Sequence, residues 1–203
     1  KGVQTIVNSP DFQAALISLQ QLRKNKIEHP KISVLVEIIE EEIKSNPKAK
    51  IMIFSQFRET VSTISKKLNE IPNIKAAMFI GQAKKLNQGL SQKEQKAIIE
   101  QFKSGEINIL CATSIGEEGL DIPEVNAVIF YEPIPSAIRK IQRTGRTARL
   151  FPGKLIILIT KDTRDVQHHY ASGARERKMH RTIHNIREEM KNSNKIKTLN
   201  EFK

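Results

Sequence analysis

Thiols are almost missing: Cys111 is the single cysteine in 203 residues. That excludes an internal disulfide and any metal centre built from thiolates. No run approaches the ~18–20 consecutive apolar residues of a membrane-spanning helix, so no membrane partner is expected. The first residues, KGVQTIVNSPDF, lack the apolar core of a secretory signal. With so few thiols to protect, a reducing cytoplasm is the expected location. Internal repeats and Gly/Ser-rich or proline-rich linkers are absent as well. What is present, 38% hydrophobic and 28% charged residues, matches an ordinary folded protein and excludes a disordered one. The length suits one domain or at most two, at ~100–200 residues each. A chain of this size buries enough surface to fold without a covalent or metal staple.

Acidic residues are outnumbered, 22 against 34 Lys and Arg, for a net charge of +12. The excess is local. Residues 139–203 hold 17 Lys/Arg and 6 Asp/Glu, a net of +11, which leaves the rest of the chain near neutrality. A basic third on a neutral body suits a polyanion, because neutralising phosphates releases counterions. A basic surface that merely keeps the protein soluble explains the same numbers.

Five short apolar runs predict strands: Ile51–Ser55, Ala76–Ile80, Ile107–Ala112, Ala127–Tyr131 and Leu155–Thr160. They are continuous rather than alternating, which marks strands covered on both faces. Helical patterns surround them. Asp11–Lys24 follows a Ser9-Pro10 start signal. Lys31–Ser45 carries Val34, Leu35, Ile38, Ile39 and Ile43 on one face. Arg58–Asn69 follows the first strand, and Ser91–Lys103 opens on a capping box, Ser91 with Glu94. Ser136–Arg146 and a long polar stretch from Asp162 to about Lys191 complete the set. The expected fold is α/β, a parallel sheet of five to six strands with helices on both faces. Ligands in such sheets sit beyond the carboxyl ends of the strands, so the segments after Ser55, Ile80, Ala112 and Tyr131 are where chemistry is expected.

Two constellations stand out. Ala112–Pro123, ATSIGEEGLDIP, directly follows a predicted strand. Gly116 and Gly119 permit tight turns and close backbone approach. Thr113 and Ser114 offer donors to a phosphate oxygen, and Asp121 offers a carboxylate to a ribose hydroxyl. A plain strand-to-helix loop uses similar residues. Gln142–Arg149, QRTGRTAR, repeats arginine at 143, 146 and 149. On a helix that spacing keeps three guanidiniums on one slowly turning face, where they repel unless an anion lies among them. Forked planar donors suit phosphate. A solvated basic face is the plainer explanation, but Leu150, Phe151 and the strand that follows tie the segment to a core.

Taken in order and spacing, IMIFSQF (Ile51–Phe57), ATSIGEEGLDIP and QRTGRTAR resemble motifs IV, V and VI of superfamily-2 helicases, in the second RecA-like lobe. FIGQ (Phe79–Gln82), GLSQKEQ (Gly89–Gln95) and IFYEPIPSAIRKIQRTGRTAR (Ile129–Arg149) resemble the archaeal Hef and eukaryotic FANCM branch. The likeness covers about residues 29–191. It implies a RecA-like lobe over 29–191, a helical segment at 1–28 from a preceding or inserted domain, and a flexible tail at 192–203.

The resemblance also implies roles. Arg146 and Arg149 would reach the γ-phosphate of ATP held mainly by a first lobe, where charge stabilisation dominates phosphoryl transfer. Gln142 and Arg143 would link the nucleotide to the lobe interface. Asp121 would contact the ribose, and Gly119 would allow that approach. Ser55, Gly81, Gln82, Thr113 and Ser114 would meet phosphates of a single strand, which positions it without reading its sequence. Ala148 departs from the glycine usual there and adds a methyl beside Arg149.

Two motifs are missing. The chain has no G-x-x-x-x-G-K-[ST] to cradle β- and γ-phosphates, and no D-E-x-[HDC] box for magnesium. Both belong to the first lobe in this family, so ATP and Mg2+ would be held mainly there. The expected function is the C-terminal motor lobe of an ATP-dependent helicase or translocase on single-stranded or branched DNA, inactive as an ATPase without the first RecA-like lobe. An RNA helicase lobe and a non-catalytic nucleic-acid-binding module are the alternatives.

Lesser features resolve more simply. His168, His169, His180 and His184 lack a placed acidic partner, and no metal site is expected. Glu117 and Glu118 are adjacent and diverge by about 100° on a helix. Ser55 and Ser114 have no credible histidine base, and Cys111 lies in an apolar strand. In the tail, Leu199 and Phe202 resemble a degenerate sliding-clamp (PCNA) binding motif, an aliphatic and an aromatic plug.

Overall fold

The computed structural model describes residues 2–25, 27–81, 89–113, 122–134 and 153–200, with side chains only as far as Glu189. It falls into two compact units, 1–40 and 41–203.

The first unit is helical. α1 is Gly2–Val7 and α2 is Pro10–Lys24. Ser9 caps α2, its hydroxyl accepting from the Phe12 amide at 3.3 Å, with Pro10 in the first turn. Proline fits there because that N–H has no helical partner. Neither helix buries a residue. α3, Lys31–Ser45, contains the division between units. Its buried residues, Ile32, Leu35 and Ile39, recur at the three-to-four spacing of one helical face.

The second unit is built on β1 (Ile51–Phe54), β2 (Ala76–Phe79), β3 (Ile109–Ala112), β4 (Ala127–Phe130) and β5 (Lys154–Ile157). The strands form one sheet in the order β2-β3-β1-β4-β5, and every pairing is parallel. Three strands bury every residue. Met52, Phe54, Leu110, Ala112, Val128 and Phe130 share one cluster with Ile99 and Phe102. Those last two lie on α5, Gln92–Ser104. The alternate residues, Ile51, Ile53, Ile109, Cys111, Ala127 and Ile129, are buried equally. α4, Arg58–Leu68, lies against β2 and β3 and buries Val61, Ile64 and Leu68. Burial of both faces is what made the apolar runs continuous. It also pushes the Cys111 thiol far above its ordinary range by desolvation, so the thiol stays protonated at neutral pH.

Asparagines fasten the amino ends of the strands. Asn126 Oδ1 accepts from the Lys50 amide at 2.8 Å, and Asn108 Oδ1 from the Lys75 amide at 2.8 Å. Asn69 Oδ1 accepts from the Ala76 amide at 2.9 Å. These bonds lock where each strand begins, and therefore where it ends. α5 opens on the expected capping box, with Glu94 Oε2 accepting from the Ser91 amide at 2.7 Å and Ser91 Oγ accepting from the Glu94 amide at 3.3 Å. It closes on Gly105 at φ 84°.

α6 runs from Arg164 to Asn200, through residues 192–200 that were expected to be tail. After Gly173 the chain has no glycine or proline to end a helix, and 192–198 contains only helix-tolerant residues. The expected helix over 136–146 lies outside the described residues.

Gly105→Ala should lower stability by about 1–2 kcal/mol, the cost of a left-handed alanine, because an added Cβ meets no atom within 4 Å. Ile53→Ala, in the central strand, should cost about 2–5 kcal/mol. Urea midpoints of the two variants would check the ranking.

Candidate functional site

The parallel ladder continues one residue past the central strands. The Ser55 amide donates to Ala112 O at 3.0 Å, the Tyr131 amide to Phe54 O at 2.9 Å and the Thr113 amide to Phe79 O at 3.3 Å. Leu158 donates to Phe130 O at 2.9 Å. The strands pair Phe79, Ala112, Phe54, Phe130 and Ile157 in one row. Ser55, Thr113 and Tyr131 therefore form the next row, at the carboxyl edge. Gly81 follows one residue beyond that row on β2, and Glu132 one residue beyond it on β4.

Three expected contact residues can be placed. Thr113 is 4% exposed, and its Oγ1 has no hydrogen-bond partner among the described residues. A buried hydroxyl without a partner costs about 1–3 kcal/mol and is uncommon enough to need a reason. Gly81 is buried, and its carbonyl accepts from the Leu90 amide at 3.3 Å. Ser55 is 1% exposed. Its hydroxyl donates to Glu132 Oε1 at 2.9 Å, and the Gln56 amide donates to that same oxygen. Ser55 thus faces an internal carboxylate, where a phosphate contact was expected. Gln82, Ser114, Gly119, Asp121, Gln142, Arg143, Arg146, Arg149 and Phe202 lie outside the described residues, as does the side chain of Leu199.

Two residues shape this edge that the sequence reading left without a role. Glu132 is one. The only signal for it was position, a carboxylate directly after a buried strand. Gln95 on α5 is the other. It is buried, and its Nε2 donates to Ile80 O at 3.0 Å, which holds the chain just before Gly81. As for metals, no group of three or more His, Cys, Asp or Glu side chains among the described residues could hold an ion. No described helix is long and apolar enough to cross a membrane.

The fold and its carboxyl edge can be set beside known proteins. The helicase conserved C-terminal domain matches residues 30–151. The chain belongs to that family. Its sheet is the RecA-like α/β fold of those domains. MJ1505 of Methanocaldococcus jannaschii, named as an ATP-dependent RNA helicase, is 43% identical over 92% of this chain and 23% of its own length. The ATP-dependent DNA helicase fml1 of Schizosaccharomyces pombe is 37% identical over 83% of this chain and 21% of its own. The crystal structure of the Pyrococcus furiosus Hef helicase domain superposes with a TM-score of 0.64 at 44% identity, covering 85% of this chain and 34% of that one. This chain thus spans about a quarter of the two curated relatives and a third of the Hef domain.

Replacing Thr113 with valine removes, at nearly constant volume, a hydroxyl that has no partner among the described residues. The thermal midpoint should rise by about 2–4 °C, the shift expected from ~1 kcal/mol in a protein of this size. A lower midpoint would show that the hydroxyl has a stabilising partner.

Proposed function

We propose that this chain is the C-terminal motor lobe of an ATP-dependent DNA helicase or translocase acting on branched or forked DNA in repair. The lobe would span 29–191, with a helical segment of a preceding or inserted domain at 1–28. The observation that carries the strand-binding half is the Thr113 hydroxyl, buried at the carboxyl edge with no partner among the described residues. A donor with no acceptor among the described residues, at the end of a parallel strand, suits a passing phosphate oxygen. Gly81, Gln82 and Ser114 would flank it along the same edge. Sequence-independent contacts of this kind fit a motor that must step along any strand.

The nucleotide half rests on the resemblance of QRTGRTAR and ATSIGEEGLDIP to the family motifs. Arg146 and Arg149 would stabilise charge on the γ-phosphate, with Gln142, Arg143, Gly119 and Asp121 orienting the nucleotide. The chain offers no carboxylate box to magnesium, and no described cluster could hold it, so no step here runs through the ion. Single-stranded or branched DNA and the first RecA-like lobe are the partners. A sliding clamp (PCNA) would be met through Leu199 and Phe202. The RNA reading is kept because MJ1505 and the FANCM relative of Arabidopsis thaliana are both named as RNA helicases.

Steady-state ATPase assays with single-stranded DNA would test this. The chain alone should show no turnover, and adding the first lobe in trans should restore it. Arg146→Ala or Arg149→Ala should then reduce turnover by roughly 10³-fold or more. Turnover by the chain alone, or indifference to both arginines, would overturn the proposal. In the restored enzyme, Thr113→Val should weaken strand binding by about tenfold or more, as for a lost hydrogen bond to a charged group. Stronger stimulation by RNA than by DNA would select the RNA reading.

A further inference from the structure

Ser55 and Thr113 lie level on adjacent strands, β1 and β3, yet their hydroxyls are in opposite situations. Thr113 Oγ1 is buried without a partner among the described residues. Ser55 Oγ donates to Glu132 Oε1 at 2.9 Å, and the next amide, Gln56 N–H, donates to the same atom. A hydroxyl and the following backbone amide converging on one anionic oxygen is the arrangement that receives a phosphate oxygen. Here the oxygen belongs to the protein.

Proton counting makes the two anions exclusive. Ser55 has one hydroxyl proton, and Glu132 accepts it. The hydroxyl can still accept, but a phosphodiester has no proton to give. Gln56 has one amide proton, and that too points at Glu132. A strand phosphate can therefore use Ser55 and Gln56 only after the carboxylate has left.

We propose that Glu132 is an internal stand-in for one strand phosphate, closing the β1 part of the carboxyl edge to nucleic acid until it releases Ser55 and Gln56. This rests on the reading that strand phosphates pass over the edge. It deepens that reading by separating two bound states, one that uses the β2 and β3 ends and one that adds β1. The states differ by one phosphate contact. Glu132 sits at the end of β4, three residues before the segment 135–152 that carries the arginine motif.

Affinity reads the added contact, and salt dependence reads the charge removed with Glu132. For a single strand, the slope of log affinity against log salt is about −0.7 per neutralised phosphate. Binding of a fluorescent oligothymidylate to this chain would be measured by anisotropy across a salt series. Glu132→Ala should tighten binding several-fold at low salt and, by removing one negative charge, steepen the slope by at most about 0.7. Glu132→Gln keeps an acceptor oxygen but loses the charge, so it should shift affinity in the same direction by less, and it carries the test if the alanine variant fails to fold. Adding Ser55→Ala to either variant should abolish the gain.

Unchanged affinity in a folded Glu132 variant would overturn the proposal. So would a gain that survives Ser55→Ala, or weaker binding at constant slope, which is what a mere prop for the loop would give. Thr113→Val separates this proposal from the reading beneath it. If Thr113→Val leaves affinity unchanged while the Glu132 variants tighten binding only when Ser55 is present, the path over β3 fails and the stand-in holds. If Thr113→Val weakens binding and the Glu132 variants do nothing, the stand-in fails and the path holds.

Discussion

A ladder of parallel hydrogen bonds, carried one residue beyond the central strands, is the constraint on which the rest of this structure depends. It sets Ser55, Thr113 and Tyr131 level with one another. The asparagine bonds at the opposite edge hold the register, and burial on both faces makes slippage costly. A polar side chain just past such a row cannot drift. Its neighbour is decided by strand order, not by anything near it in sequence.

That distinction explains what could be read from the sequence. The strands were legible because both faces are buried. Ile51–Ser55 was read against β1 at Ile51–Phe54, and Ala127–Tyr131 against β4 at Ala127–Phe130. The last strand was read least well, as Leu155–Thr160 against Lys154–Ile157. It is an edge strand, half exposed, so its apolar pattern carries less information about where pairing stops. The Ser91–Glu94 capping box was legible because it is local. α6 was underestimated because its end carries no breaking residue to mark it.

The site was legible only in part, for the same reason. Thr113, Gly81 and Ser55 were expected at strand ends and stand there. The pairing of Ser55 with Glu132 spans 77 residues and exists because β4 is the neighbour of β1. Nothing in a linear pattern states that adjacency. Gln95 was hidden differently. It sits on α5 inside a stretch of polar residues, and only the packing of that helix reveals that it turns inward to Ile80. A buried glutamine and an exposed one look alike in sequence. The motifs that carried the family resemblance were legible as motifs because their residues are close together in the chain.

Thr113 and Ser55 show two answers to one problem. A hydroxyl at the end of a buried strand is removed from water and must recover a hydrogen bond. Ser55 recovers it from within, which stabilises the fold and occupies the donor. Thr113 recovers none from the described residues, which leaves the fold less stable and the donor open. An open donor is complementary to an incoming anion without first displacing another. An occupied one imposes a competition that the anion must win. In a chain with a net charge of +12, general attraction to a polyanion is abundant and says little about where a strand lies. A single carboxylate placed among the donors subtracts from that attraction at one point. Under the proposed strand-binding reading, it turns a uniformly receptive edge into one with an open part and a closed part.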